Sequence, residues 1–445
     1  MSVLSTYLRE TEACLIDENA RTADYRGQAA FALRGYGAVS AAFRVDALLD
    51  GGPSAVLRIA LSVEEQRTSG AFFTGRALAR KLVKVIPECA WRGDILDPTC
   101  GAGDLLLAAA ARLPVREGLA ETLSEWGKRL AGSDVSPEFV RLARLRLAVL
   151  ALTRGANHDR MAAPELGRVF PRIAQGDALH AAAQYENATC ILLNPPFGPV
   201  HAPPDCAWAT GRITAAALFA EKAIGNAWPG THLAMILPDV LRSGSRYGRW
   251  RACVQRQADM LKVQPHGLFD KTADIDVFLL HLRKRRAVRN RVSHCAISPV
   301  KTRCGKKVGE FFDVHVGPVV PYRDKGSEPL RPYIAAKGLP RWCTWEACGD
   351  RKRTDGKGFR PPFVVVRRTS RPGDAHRATG TIITGHEEVA VENHLLALTP
   401  KDGTLRTCRQ LLARLKDART TRWLDSRIRC RHLTVSAVKE LPWWD

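Results

Sequence analysis

From Ile95 to Arg283 the chain alternates short apolar runs with helical patterns, and this alternation limits the fold more than any other feature. The runs are Ile95-Leu96, Leu130 to Gly132, Ile173-Ala174, Cys190 to Leu193, Leu233 to Leu237 and Val277 to Leu282. Helical patterns lie between them at Asp104 to Arg112, Pro137 to Leu152, Ala215 to Trp228 and Arg246 to Leu261. Strands joined through helices argue an α/β chain with a doubly wound, Rossmann-like sheet. One helix start is explicit. Ser136 can cap it, Pro137 suits the first turn and Glu138 faces the positive end of the dipole.

At 445 residues the chain has room for two or three domains. Residues 1–65 read as mostly helical, with a break at Gly51, Gly52 and Pro53. Residues 66–290 hold the α/β alternation, which runs out in a basic stretch of Arg283, Lys284, Arg285, Arg286, Arg289 and Arg291. That stretch is either a linker or a strip that lies on phosphate. Residues 296–445 change character, with many Gly, Pro and Arg, short β-like runs at Phe363 to Val366 and Thr381 to Thr384, and a helix from Leu405 to Leu415. They are expected to form a separate α+β domain.

Lys and Arg total 67 against 45 Asp and Glu, a formal charge of +22. A balance this basic points to an anionic partner, most simply nucleic acid, against the plainer reading of a basic surface. No apolar stretch is long enough to span a bilayer and MSVLSTYLRETEAC lacks a signal-peptide pattern, so a cytoplasmic protein is expected. Its twelve cysteines then read as free thiols. Cys295, Cys304, Cys343 and Cys348 fit no common zinc spacing, and no metal is expected.

In ILDPTCGAGDLLLAAAARL an acid, Asp97, closes an apolar strand, and a loop with Gly101 and Gly103 leads into a helix. Glycines let backbone approach a ligand, and a helix N-terminus favours a negative group. A dinucleotide fingerprint wants a third glycine where Leu106 stands, which weakens a nicotinamide reading. Asp134 in LAGSDVSPEF ends another strand, where an acid can take both hydroxyls of a ribose. Asp177 in AQGDAL follows the next run. One such acid is commonly a cap or turn residue; three at successive strand ends favour a nucleoside pocket.

ILLNPPFGPV, residues 191–200, ends a strand in Asn194, two prolines and Phe197. Prolines stop a strand and stiffen the loop, so a rigid turn with a buried phenylalanine is one account. The other is chemical, and here the resemblance becomes specific. Asn194-Pro195-Pro196-Phe197 resembles the catalytic tetrad of amino-methyltransferases that use S-adenosylmethionine. Asp97, Asp134 and Asp177 resemble their cofactor positions. RTSGAFFTGRALARKLV resembles the segment before the cofactor loop in the gamma-ordered DNA adenine-N6 enzymes, LFAEKAIGNAWPGTHLAMILPDVL their helix–Gly–strand–Pro segment, and GLFDKTADIDVFLLHL their last catalytic motif. The match covers roughly Arg67 to Arg283 and is similar to type I modification subunits and solitary restriction-associated methyltransferases.

The resemblance implies that Asn194 and the Pro195 carbonyl accept hydrogen bonds from a target amine, with Pro196 stiffening the loop. It implies that Phe197 stacks on an extruded base and that Phe269 takes the opposite face; for Phe269 a plain core role stands beside this. The implied S-adenosylmethionine contacts are Thr68, Thr74, Asp97, Thr99, Gly101, Gly103, Asp134, Asp177 and Asn194. Phe72 and Phe73 either close over the cofactor or simply pack. Residues 66–290 would then be the catalytic domain and residues 296–445 a target recognition domain for double-stranded DNA, with room for a separate specificity or nuclease subunit. In that last domain Tyr322, Tyr333, Trp342, Trp345, Phe359 and Phe363 lie among the Arg and Lys residues, including Arg367, Arg368 and Arg371. The activity implied is adenine-N6 methylation in a restriction or phage-defence setting. Cytosine-N4 methylation and protein glutamine methylation use similar tetrads, and the basic extension counts against the second.

Overall fold

The computed structural model describes residues 74–157, 165–180, 182–269, 275–286, 305–321, 329–347, 349–354, 356–429 and 431–444, with a few isolated positions elsewhere. The chain divides into two compact units, one of Met1–Leu241 with Arg249–Ile297, the other of Ser298–Asp445 with the segment Arg242–Gly248. The expected helical N-terminal segment lies almost wholly outside the described residues, as do Thr68, Phe72 and Phe73.

In the first unit the apolar runs become strands β1 (Asp94–Asp97), β2 (Leu130–Asp134), β3 (Ile173–Gln175), β4 (Ala188–Leu193), β7 (His232–Pro238) and β9 (Asp276–Lys284). With β8 (Ala258–Leu268) they form a seven-stranded sheet in the order β3-β2-β1-β4-β7-β9-β8. Strands β1, β2, β3, β4 and β7 run parallel, and β9 is antiparallel to both its neighbours. The chain winds outward from β1 to β3 and then resumes on the other side with β4. The switch point therefore falls between β1 and β4, where ligands of such sheets bind beyond the carboxyl ends of the strands. Between β4 and the next helix a small hairpin pairs β5 (Pro199–His201) with β6 (Arg212–Thr214).

The longer helices among the described residues are α1 (Arg76–Val83), α2 (Asp104–Ala110), α3 (Leu119–Arg129), α4 (Pro137–Thr153), α5 (Ala215–Asn226) and α6 (Gly248–Gln257). Ser136 caps α4 as expected, its hydroxyl accepting from the Phe139 amide at 3.2 Å. One expectation is corrected. The helix read over Arg246 to Leu261 ends at Gln257 and gives way to β8. Helix α3 lies outside the helical patterns read from the sequence. One core packs helices on a face of the sheet, through Ile95, Cys190, Leu192, Ala234 and Ile236, and includes the fully buried Trp126 and Phe170. Part of the basic stretch is committed within the unit. Arg285 pairs with Asp259 at 2.8 Å, and the Lys284 ammonium donates to the Ile224 carbonyl at 2.6 Å. Among the described residues no helix is long and apolar enough to cross a membrane.

The second unit is α+β. A five-stranded sheet has the order β10 (Phe312–Val316), β17 (Leu395–Pro400), β14 (Phe363–Arg367), β15 (Gly380–Thr384), β12 (Thr344–Glu346). A three-stranded sheet has the order β13 (Arg351–Arg353), β11 (Leu330–Ile334), β16 (Ala390–Val391). Helices α7 (Leu405–Lys416) and α8 (Ala418–Arg427) share one core with a face of the larger sheet. Phe359 and Phe363 lie in a core on the other side, so they are packing residues. Near the terminus Trp443 stacks on Phe311 with centroids 4.4 Å apart, and the Trp444 indole donates to Thr420 at 3.0 Å.

Candidate active site

Asp97 closes β1 and is fully buried. Its Oδ1 accepts from the Thr99 amide at 3.2 Å, while Oδ2 meets no hydrogen-bond partner among the described residues. Burial, aided by the charges of Asp134 and Asp104, pushes its carboxyl up to about 8. A buried acid with one idle oxygen suits a cationic or donor group of a ligand. The Thr99 hydroxyl is likewise buried without a partner among the described residues.

The loop after Asp97 turns through Gly101 and Gly103, with φ of 50° and 89°. Gly103 is constrained twice, because a Cβ there would also lie 2.9 Å from the Cβ of Ala143 on α4. The loop therefore lies close to α4 and enters α2 tightly. The Gly101 amide donates to Asp134 Oδ2 at 3.1 Å and the Ser136 amide to Oδ1 at 2.9 Å, which ties the acid at the end of β2 to the loop after β1. Burial pushes the Asp134 carboxyl up. Asp177 follows β3, its Oδ1 accepting from the Leu179 amide at 2.9 Å and Oδ2 lying 2.8 Å from His180 Nδ1. Burial pushes that carboxyl up, but Leu179 and His180 more than offset it and hold it below its ordinary value. Burial and then the charges of Asp97 and Asp177 push the Tyr185 phenol up, and its hydroxyl donates to the Ala178 carbonyl at 3.3 Å. Asp97, Thr99, Gly101, Gly103 and Asp134 are thus brought together, with Asp177 flanking them.

Asn194 follows β4, one strand from Asp97. Its Nδ2 donates to Thr74 Oγ1 at 2.9 Å, and its Oδ1 is buried without a partner among the described residues. Pro195 is buried and Pro196 half-buried. The Phe197 carbonyl accepts from the Thr214 hydroxyl at 2.9 Å, and the Gly198 carbonyl from the Ala215 amide at 2.8 Å. The tetrad is therefore pinned to the N-terminus of α5. Phe197 meets Phe269 edge to face, with centroids 5.5 Å apart and planes at 77°. A base between two parallel rings needs them about 7 Å apart, twice a carbon contact distance of about 3.5 Å. The pair as it stands does not present two parallel faces.

Sequence reasoning missed Gln184, Asp104 and Arg146. Gln184 Oε1 accepts from Ser133 at 2.8 Å beside the loop, and its Nε2 is buried without a partner among the described residues. Arg146, fully buried on α4, pairs with Asp104 at 2.8 Å. Nothing in the local sequence marks these three. Among the described residues no cluster of His, Cys, Asp and Glu could hold a metal, and of the four cysteines weighed as zinc ligands only Cys343 is described.

Several solved structures align with this chain at low identity. The type IIL restriction-modification enzyme MmeI, solved in complex with DNA, aligns at 10% identity over 87% of this chain and 70% of that one, with a TM-score of 0.51. The type IIG restriction endonuclease BpuSI aligns at 13% identity over 89% and 61%, with a TM-score of 0.40. A modification subunit of a putative type I restriction enzyme from Vibrio vulnificus YJ016 aligns at 18% identity over 53% and 47%, with a TM-score of 0.36. The chain spans about half the length of that subunit. No curated protein matches it. The family model described as N-6 DNA Methylase matches residues 58–296, more than half of the sequence and all of the seven-stranded sheet, and the chain belongs to that family.

Proposed function

We propose that this chain transfers a methyl group from S-adenosylmethionine to the N6 amine of an adenine extruded from double-stranded DNA, in a restriction-modification or phage-defence setting. The observation that carries the reading is Asn194. Its amide is held through Nδ2 while Oδ1 stays buried and unpaired among the described residues, at the switch point of a sheet whose family is named for N6 methylation.

An adenine N6 lone pair is delocalised into the ring and is a poor nucleophile. Asn194 Oδ1 and the Pro195 carbonyl accept hydrogen bonds from the amine, favour tetrahedral nitrogen and aim its lone pair. Proline donates no competing amide and holds φ fixed. The chain's contribution is placement and electrostatics. Phe197 stacks on the extruded base, with Phe269 on the other side once the rings part, which offsets unstacking that costs roughly a few kcal/mol. Asp97, Thr99, Gly101, Gly103, Asp134 and Asp177 hold the cofactor. The idle Asp97 Oδ2 and Thr99 hydroxyl, buried without partners among the described residues, fit a ligand there. When bound, S-adenosylmethionine supplies a methyl group on a sulfonium already activated as a leaving group.

Residues 66–290 form the catalytic domain in this reading. The unit after Ile297 is the duplex-reading domain, which leaves sequence choice open to a separate specificity or nuclease subunit. Replacing the amide tests the reading. Asn194→Ala abolishes transfer and leaves S-adenosylmethionine affinity, measured by calorimetry, nearly intact. Undiminished turnover in that variant overturns the assignment.

A further inference from the structure

The Asn194 amide is not held by its own loop. Its Nδ2 reaches Thr74, which lies 120 residues earlier in the chain, just ahead of α1. The neighbouring residue fixes Thr74 in turn. Gly75 takes φ 70°, and its amide donates to Asp104 Oδ2 at 2.8 Å. Asp104 is the first residue of α2, directly after Gly103. Its other oxygen faces Arg146 at 2.8 Å, and Arg146 also donates to the Ala102 carbonyl at 2.6 Å and the Leu48 carbonyl at 2.8 Å. Both side chains of the ion pair are at least nine-tenths buried. A buried guanidinium spread over three acceptors is a rigid anchor, because any shift would strand a desolvated charge.

We propose that Thr74 is a positioning residue for Asn194, held in register by the Asp104–Arg146 pair. The proposal rests on the reading of Asn194 as acceptor for the target amine. An asparagine amide offers an oxygen and an NH₂ group at similar reach, and only the oxygen can accept from an amine. Binding the NH₂ end to Thr74 leaves the oxygen as the end that is free for the substrate. The same Asp104 sits on the helix that begins at the cofactor loop. The anchor thus couples loop and amide, so that the methyl donor and the acceptor that aims the amine are set by one rigid unit. Misplacement of a reacting group by about 1 Å can cost about a hundredfold in rate.

The test separates positioning from a cofactor contact. Thr74→Val keeps the shape and removes the hydroxyl; Thr74→Ser restores it. With duplex DNA as substrate, T74V lowers kcat by about tenfold to a hundredfold while S-adenosylmethionine affinity, read by calorimetry, stays unchanged. T74S recovers most of that loss. Should T74V unfold, Thr74→Ala against T74S at reduced temperature gives the same comparison. Weakened cofactor binding with unchanged kcat would make Thr74 a cofactor contact alone and overturn the proposal, as would full activity in T74V. Asn194→Ala run in parallel keeps the two ideas apart. An inactive N194A beside a fully active T74V sinks only the positioning role, whereas an active N194A sinks the reading beneath it.

Discussion

Burial of Asp97 ties the chain's stability to pH. Its carboxyl holds a proton up to about pH 8, whereas an ordinary carboxylate releases it near 3.8. Between those values unfolding releases that proton, so this group's contribution to stability falls as pH rises and is gone above about 8. Asp97→Asn, which mimics the neutral acid, should flatten the dependence of melting temperature on pH between about 4 and 8. The same variant should weaken S-adenosylmethionine binding about tenfold or more, roughly 1.4 kcal/mol. Equal pH profiles for the two proteins would contradict the burial argument. The strand-end acids and the Asn194 tetrad were legible because each closes an apolar run or stiffens a loop. The partners that hold them were not. Thr74 reaches Asn194 across the fold, and Arg146 hides in a helix whose apolar residues give no hint that it is fully buried.

At the scale of elements, the packing of α2 on α4 depends on Gly103. Gly103→Ala should cost about 1–3 kcal/mol, because it meets both a left-handed φ and the Ala143 methyl. Denaturant unfolding would show this as a lower midpoint, and an unchanged midpoint would mean that the loop relaxes freely. The pairing of β7 with β9 carries a second check. His281 lies 3.0 Å from His232, and burial followed by the His232 and Lys262 charges pushes its imidazole down to about 4. The unfolded chain takes up a proton near the ordinary 6.5 that the folded form refuses, so stability falls as pH drops from about 6.5 to 4. His281→Gln should make that acid limb shallower in thermal melts; an equally steep limb would place the dependence elsewhere.

Six strands of the sheet were legible for a physical reason: they are short, apolar and buried, with helical patterns between them. Strand β8 was not. It is an edge strand, largely open on one side, with Pro265, Gly267 and two irregular steps in its ladder, so its residues continue the helical pattern before it without a clear break. Helix α3 was not among the patterns read from the sequence; Gly118 precedes it and Gly127 interrupts its apolar period. The closed pair of Phe197 and Phe269 also lies beyond sequence, because it depends on the register of β8 and β9.

For the whole molecule the charge of +22 is the dominant electrostatic fact. If Lys and Arg neutralise phosphates, the logarithm of DNA affinity falls linearly with the logarithm of salt concentration, about 0.9 per phosphate contacted. Titrations at several salt concentrations should give a steep slope, and a flat response would remove the charge argument for a nucleic-acid partner. The central claim concerns the atom that receives the methyl group, and one product analysis addresses it. The protein is incubated with labelled S-adenosylmethionine and a mixture of duplex DNA, RNA and protein, and each polymer is digested to its monomers. The account predicts label in N6-methyladenine from DNA; label confined to N4-methylcytosine, to RNA or to glutamine would contradict it.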